Sequence, residues 1–259
     1  WVKVYDIPEG GRAAKGRAIV NLIGCEPDEK VSAFISVKEF NDDHYVVMAT
    51  EKGMVKKTKL SAYSNPRKKG IYAVEIRDGD KLIEARVSTG DNDILLGTRN
   101  GKSIRFSEEQ IRASGRKTMG VKGITLSSED DRLVGMLLIK REGTVLVATE
   151  KGFGKRTEIS QYRAQKRGGK GVLTMKTTDK VGKMVTIKEV VDKDDLMIIT
   201  NQGVLIRLPV AQIRSIGRAT QGVKLIKLGE GTLVSSITRI MSEEEEDENN
   251  NTESTEPKE

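Results

Sequence analysis

The run Gln165-Lys166-Arg167-Gly168-Gly169-Lys170-Gly171 sets three cations and three glycines into seven residues, with no carboxylate among them. The chemistry it suits is anion capture. Glycines, lacking a Cβ, let the backbone turn sharply and come close to a partner. Arg and Lys supply charge-assisted donors that match phosphate oxygens. One such run could equally be a solvated turn that happens to be basic. Recurrence decides between the two. Lys15-Gly16, Lys69-Gly70, Lys122-Gly123, Lys170-Gly171 and Lys224-Leu225 each end a basic, glycine-containing turn that runs into an apolar segment. The four glycines lie 54, 53 and 48 residues apart. A second signature falls between them, at TEKGMVKKT, TRNGKSIRF, TEKGFGKRT and TNQGVLIRL, with its glycines 53, 101, 152 and 203 spaced by 48, 51 and 51 residues. Two interleaved signatures with one period of about 50 residues mark an internal repeat of the blade or array kind.

The elements that must carry these turns read as short strands. In the first module Ala18 to Ile23, Val31 to Val37, Tyr45 to Thr50 and Val55 to Leu60 are expected as four successive strands of one blade. YVVMAT is nearly all apolar, as a strand covered on both faces should be. Glu51-Lys52-Gly53 is a tight hairpin with Gly at a positive φ. VKKTKL is polar and basic, which reads as an exposed outer strand protected against edge pairing. Later modules repeat this order as IYAVEI, LIEARVS, DILLGT, SIRF; then ITLS, LVGMLLI, TVLVATE, GKRTEI; then VLTMK, KMVTIKEV, LMIITN, VLIRL; and LIKL with VSSITRI begins a fifth. EEQIRASG, EISQYRAQ and VAQIRSIG are long enough for one helical turn at most. Trp1 to Ile7 reads as the last strand of a repeat whose beginning precedes it, so the chain is expected to be a piece of a longer protein. That strand and the C-terminal strands could pair and close a ring, which would remove sheet edges. The fold class expected is all-β, with blades in residues 1–241 and a separate tail in 242–259.

Charge is split along the chain. Of 45 Lys and Arg and 38 Asp and Glu, the tail from Ser242 holds nine acids and one lysine, so it carries −8 and the body +15. The tail has too few apolar residues to order itself. A basic body implies a polyanionic partner. Catalytic chemistry is nearly absent. GFGKRT lacks the GxxxxGK[ST] spacing of a phosphate loop. Asp130-Asp131 and Asp192-Lys193-Asp194-Asp195 read as solvated turn acids. Cys25 and His44 are the only residues of their types, which rules out an internal disulfide and makes a zinc site or a His-dependent triad improbable. A lone cysteine fits a reducing compartment. No run is long and apolar enough for a transmembrane helix, no signal peptide is read, and no membrane partner is expected.

Each module delivers cations at two places, the outer strand and the basic turn. The candidate contacts are Arg12, Lys15 and Arg17; Lys56, Lys57 and Lys59 leading to Arg67, Lys68 and Lys69; Lys102 and Arg105 leading to Arg112, Arg116, Lys117 and Lys122; Lys155 and Arg156 leading to Arg163 and Gln165 through Gly171; and Arg207 leading to Arg214, Arg218 and Lys224. Blades set around an axis would turn these into a perimeter belt able to follow a bent duplex. The basic strands have no interleaved aromatics, which argues against base stacking with a single strand. Backbone contacts with little base readout are expected.

QKRGGKG, the TEKGxGKRT and GRxTxGVK repeats and the acidic tail together resemble the C-terminal domain of the bacterial DNA gyrase A subunit, over essentially all of residues 1–241. The resemblance implies a β-pinwheel, a propeller-like disc of four-stranded blades. It implies that double-stranded DNA wraps the basic perimeter so that ATP-driven strand passage gives negative supercoils. Gln165 through Gly171 matches the family's box motif residue by residue. In that family the box needed for wrapping lies in the first blade; here the match sits in a later repeat, which leaves open whether it is the box or an echo of it. The related topoisomerase IV A subunit stays open for the same reason. The resemblance places the strand-passage tyrosine elsewhere in the A subunit, and ATP and Mg on other parts of the enzyme, so no cofactor is expected in this chain. Partners implied are the B subunit of gyrase, in a heterotetramer, together with the rest of the A subunit, in the bacterial cytoplasm at the nucleoid. From another class, a protein-interaction propeller whose rim binds an acidic partner fits the charge as well. The tail is a candidate nucleic-acid mimic competing for the rim.

Overall fold

The computed structural model describes residues 2–10, 17–23, 29–65, 67 and 70–240. Its strands are β1 (Tyr45–Thr50), β2 (Met54–Lys59), β3 (Leu82–Ser88), β4 (Asp93–Thr98), β5 (Lys102–Ser107), β6 (Val121–Lys122), β7 (Leu133–Ile139), β8 (Thr144–Thr149), β9 (Phe153–Glu158), β10 (Val172–Leu173), β11 (Met184–Val190), β12 (Asp195–Thr200), β13 (Leu205–Pro209), β14 (Val223–Lys224) and β15 (Val234–Ile240). Among the described residues the only helical pieces are single 3-10 turns, four of them directly after β2, β5, β9 and β13.

Each blade is built on a hairpin: β1–β2, β4–β5, β8–β9 and β12–β13. The turn glycines Gly53, Gly101, Gly152 and Gly203 hold φ between 77° and 85°, a region where a side chain is strained. The first hairpin strand is apolar and buried, and needs a neighbour on each side. β3, β7, β11 and β15 supply the second neighbour. These four strands also touch one another from blade to blade, so they line the axis and leave the outer hairpin strands on the perimeter.

The four strands of a blade do not come from one module. β6 follows β5 in the chain yet pairs back to β2, β10 follows β9 and pairs to β5, and β14 follows β13 and pairs to β9. Blades therefore interlock, the first three each closed by a two-residue strand returned from beyond the next hairpin. A period fixes spacing but not phase or partner, so the expected one-module blades are displaced by about half a repeat. Cores fill the gaps between successive sheets. One holds Val47, Val55, Ile94, Leu96, Ile104 and Phe106, the next Leu95, Leu137, Val145, Val147 and Ile187, the third Leu146, Val190, Leu196, Ile198 and Val234. Val, Ile and Leu do most of the packing, as the low aromatic content requires.

Several expected strands are not formed. Ala18 to Ile23 contains one 3-10 turn, Ile19–Asn21. Val31 to Val37 has no strand, although Ala33, Ile35 and Val37 pack by one face on the first blade. The reason is register. An axial strand begins 37 to 40 residues after its partner in all four blades, so the partner of a strand starting at Val31 would precede Trp1. IYAVEI, ITLS and LIKL likewise form no strand, and VLTMK keeps only Val172–Leu173. The N-terminal strand expected at Trp1 to Ile7, which could have paired with the C-terminal strands, is not formed among the described residues: Val4–Asp6 is a 3-10 turn, and β13 carries no fourth strand. The tail, 242–259, lies outside the described residues.

Candidate nucleic-acid interface

The outer strands overturn one expectation. β2 and β9 were expected to expose their cations, but Lys56, Lys57, Lys155 and Arg156 are 1%, 6%, 0% and 8% exposed. The returned strand and the basic turn before it lie over them. Lys56 Nζ donates to the Ala73 carbonyl at 2.7 Å and to the Arg116 carbonyl. Lys155 Nζ donates to the carbonyls of Gly217 at 2.7 Å, Arg218 and Thr220. Burial pushes both ammoniums down to about 8, with repulsion from Arg116 and Arg218 respectively adding to it. Lys57 sits 3.6 Å from the buried Glu108 carboxylate and over the Tyr45 ring. Arg156 pairs with Asp192 and donates to the Ile213 carbonyl at 2.8 Å. These four cations lie inside the disc and do not belong to a surface belt. Arg105 is half-buried on Asp93 at 2.6 Å and on the carbonyls of Ile159 and Tyr162. Arg207, at the same position in the fourth blade, pairs with Asp195 but stays exposed.

The basic turns are where the structure gathers surface charge. Each lies at the perimeter edge of a sheet, just before its returned strand. In the heptapeptide, the Gly168 amide donates to the Gly123 carbonyl at 2.6 Å, and Thr125 answers with its amide on Gly169 and its hydroxyl on Gly168. Gly171 has φ 68°, and a Cβ there would collide with the Ser103 carbonyl. Arg167 is partly buried. Its guanidinium donates to the carbonyls of Gln110 at 3.0 Å and Lys122 at 3.2 Å. Arg116 and Arg218 make the equivalent bond, to the carbonyls of Tyr72 at 3.3 Å and Leu173 at 2.8 Å. Three arginines thus tie each turn to the preceding return segment. Gln165 is partly buried, its carbonyl accepting from Gln110. Exposed beside them are Lys166, Lys170, Lys117, Lys122 and Lys224, with Arg112, Arg163 and Arg214 on the approaches and Arg17 and Arg67 toward the N-terminus. Lys102 is half-buried. Lys117 lies over the Tyr72 ring and Lys224 over Phe153. Arg12, Lys15, Lys68 and Lys69 lie outside the described residues.

Several acids differ from their sequence reading. Asp194 is buried, 3.3 Å from Arg141, and Asp131 is buried and accepts the Asn100 amide at 2.9 Å. Asp192, read as a solvated turn acid, stays exposed but pairs with Arg156, while Glu108 and Asp93, which hold Lys57 and Arg105, went unread because the fold supplies these pairings. His44 is used locally, on Asn41. No helix among the described residues is long and apolar enough to cross a membrane.

Comparison with known proteins fits this geometry. The family described as DNA gyrase C-terminal domain, beta-propeller, matches residues 1–38, 44–89, 92–140, 143–190 and 194–240. The last four segments each begin at a hairpin and end at an axial strand, the phase of the blades. The chain is 45% identical over 246 residues to the DNA gyrase A subunit of Staphylococcus epidermidis, covering 94% of this chain and 27% of that protein. To the same subunit of Salmonella typhimurium it is 41% identical over 240 residues, covering 93% and 27%. The chain thus spans about a quarter of the length of these relatives. A solved C-terminal domain of DNA topoisomerase IV superposes with TM-score 0.84 at 25% identity, over 93% of this chain and 76% of that one. A solved DNA gyrase A C-terminal domain gives 0.79 at 23%, over 88% and 76%.

Proposed function

The chain belongs to the DNA gyrase C-terminal domain family, and from that premise we propose that it binds double-stranded DNA along its perimeter turns and wraps it, directing strand passage by an ATP-dependent type II topoisomerase toward negative supercoils. The observation that carries this reading is the three equivalent turns at 115–120, 165–171 and 217–222, each pinned by an arginine and each at the outer edge of its own blade. Bending 20–30 base pairs by 40–90° costs roughly 1–6 kcal/mol. One turn could hardly offset that and hold the duplex, whereas several turns touching a few phosphates each can. The surface cations are lysines and arginines without a base-reading helix, so the contacts are to backbone. The affinity then falls with salt by about 0.9 log unit per log unit for each phosphate held.

In this reading the chain does no chemistry itself. The rest of the A subunit supplies the cleaving tyrosine, and the B subunit the ATP site with its Mg, in a heterotetramer at the bacterial nucleoid. The acidic tail, −8 against a body of +15, competes for the same turns. The TM-score of 0.84 with the topoisomerase IV domain supports a second reading, in which the chain binds DNA but wraps it weakly.

Sealing nicked circular DNA in the presence of the chain, then reading the linking number after removing protein, tests this. A shift that grows with protein is expected. Tight binding without a shift favours the topoisomerase IV reading. No binding at moderate salt would transfer the rim to an acidic protein partner.

A further inference from the structure

The outer strands come in two kinds that alternate from blade to blade. Three residues after the hairpin glycine stand Lys56, Ile104, Lys155 and Ile206; two residues further stand Thr58, Phe106, Thr157 and Leu208; just past the strand stand Tyr63, Ile111, Tyr162 and Ile213. All three places change together, so the true repeat is two blades, with Lys56 and Lys155 99 residues apart. The turns lying over these strands change with them. Over the lysines lie Gly115-Arg116-Lys117-Thr118-Met119-Gly120 and Gly217-Arg218-Ala219-Thr220-Gln221-Gly222. Over Ile104 lies Gln165 through Gly171.

The contacts explain the match. Lys155 Nζ enters a cage of turn oxygens, taking the Thr220 hydroxyl at 3.1 Å besides the three carbonyls, while that hydroxyl donates to Gly217 at 2.9 Å. Thr118 makes the same bond to Gly115 at 2.9 Å beside Lys56. In the other kind, Gly169 occupies the threonine's place, and a Cβ there would stand 3.4 Å from Ile104 Cδ1. The residue before the final glycine is Met119 or Gln221 over a lysine, but Lys170 over isoleucine.

We propose that Lys56 and Lys155 are positioning residues that fix a caged form of the perimeter turn, so that alternate blades offer DNA two kinds of contact. In the caged kind, an arginine is gripped at its carbonyl by a buried ammonium and at its guanidinium by the neighbouring return segment. In the glycine kind, the turn packs on isoleucine and raises a surface lysine. The positioning claim stands on the free protein; its consequence for DNA rests on the function proposed above. Without the lysine, the part-buried turn carbonyls lose their donor, and Arg116 or Arg218 loses its hold from beneath.

The test compares Lys155→Ile with the set Lys155→Ile, Thr220→Gly and Gln221→Lys in the full chain, first without DNA. Hydrogen exchange is read at the Lys176 amide, which donates to the Thr220 carbonyl at 3.0 Å, and at the Ile216 amide, which donates to Arg156 at 2.8 Å. The single variant should exchange roughly tenfold faster or more at both, and the triple should return toward wild type. With a DNA duplex, the single variant should lower the slope of log affinity against log salt by about 1, and the triple should recover it. Unchanged exchange in the single variant overturns the proposal. So does a triple variant that stays loose or fails to fold, and if the single variant does not fold, a folded triple with wild-type exchange supports it. Absence of DNA binding in every chain, wild type included, would sink the DNA reading and leave the exchange result standing.

Discussion

Gly171 is fixed by two independent constraints. Its φ of 68° suits glycine, and the space a Cβ would take is filled by the Ser103 carbonyl of the strand it returns to. Gly120 and Gly222 repeat both constraints against Val55 and Gly154. Gly171→Ala should therefore lower stability by about 1–3 kcal/mol, read as a shift in the denaturant midpoint. Gly115→Ala, with open space around it and no positive φ, should stay within about 0.5 kcal/mol. Equal effects at both would show that the return strand does not approach as closely as described. Lys155 makes a second prediction, in pH. Its folded value of about 8 lies below the 10.5 of a free lysine. Below about 8 both states are charged and the fold carries the burden of a buried ammonium. Between about 8 and 10.5 the folded chain releases its proton first, so stability rises with pH through that window. The neutral amine still offers two N–H donors to its cage. The stability of wild type minus that of Lys155→Met should thus increase from pH 7.5 to 9.5. A flat difference would mean the cage carbonyls fully compensate the burial.

At the level of strands, packing between blades depends on small residues meeting large ones. Ile187 of β11 lies across Gly97 of β4 and Gly135 of β7, where an added Cβ would stand 2.9 Å from its Cγ2 at either glycine. Ile187→Ala should cost about 2–5 kcal/mol because nothing nearby can fill the space. The same change at Ile199, which is 36% exposed, should cost far less. A similar loss at both would place the inter-blade core elsewhere. Strands such as Leu82–Ser88 and Leu133–Ile139 were legible residue for residue, because seven-residue segments rich in Leu, Ile, Val and Met between polar turns have few other uses. The heptapeptide turn was legible for the same reason, through composition repeated at fixed spacing. What was not legible is what depends on partners far along the chain. VKKTK reads as a solvated strand until a turn 60 residues later is laid over Lys56. β6, β10 and β14 are two residues each, too short to carry any periodic signal, yet they decide that blades interlock. Val31 to Val37 has the alternation of a strand and lacks only a partner, which no local pattern reveals.

For the whole disc, interlocking changes how it should come apart. In a stacked array each repeat touches only its neighbours, and losing an end repeat leaves the others nearly intact. Here the third blade borrows β14 from beyond the fourth hairpin. With β14 come the turn that cages Lys155 and the bonds from Leu225 and Ile226 to the Gly152 carbonyl at 2.9 and 3.3 Å. A chain ending at Val190 would keep every residue of β8, β9 and β11 but lose this cover. It would leave Lys155 and Arg156 without the carbonyls of Gly217, Arg218 and Ile213, and the edge of β9 unpaired. A chain ending at Leu228 would keep β14, the turn and those bonds, while losing β15 from the fourth blade. Hydrogen exchange along β9 should therefore be much faster in the chain ending at Val190 than in wild type. In the chain ending at Leu228 it should be slowed again even though the fourth blade is damaged. β9 exchanging at the wild-type rate in the shorter chain would mean that each blade is stable on its own hairpin and axial strand. The returned strands would then serve only to place the basic turns on the rim.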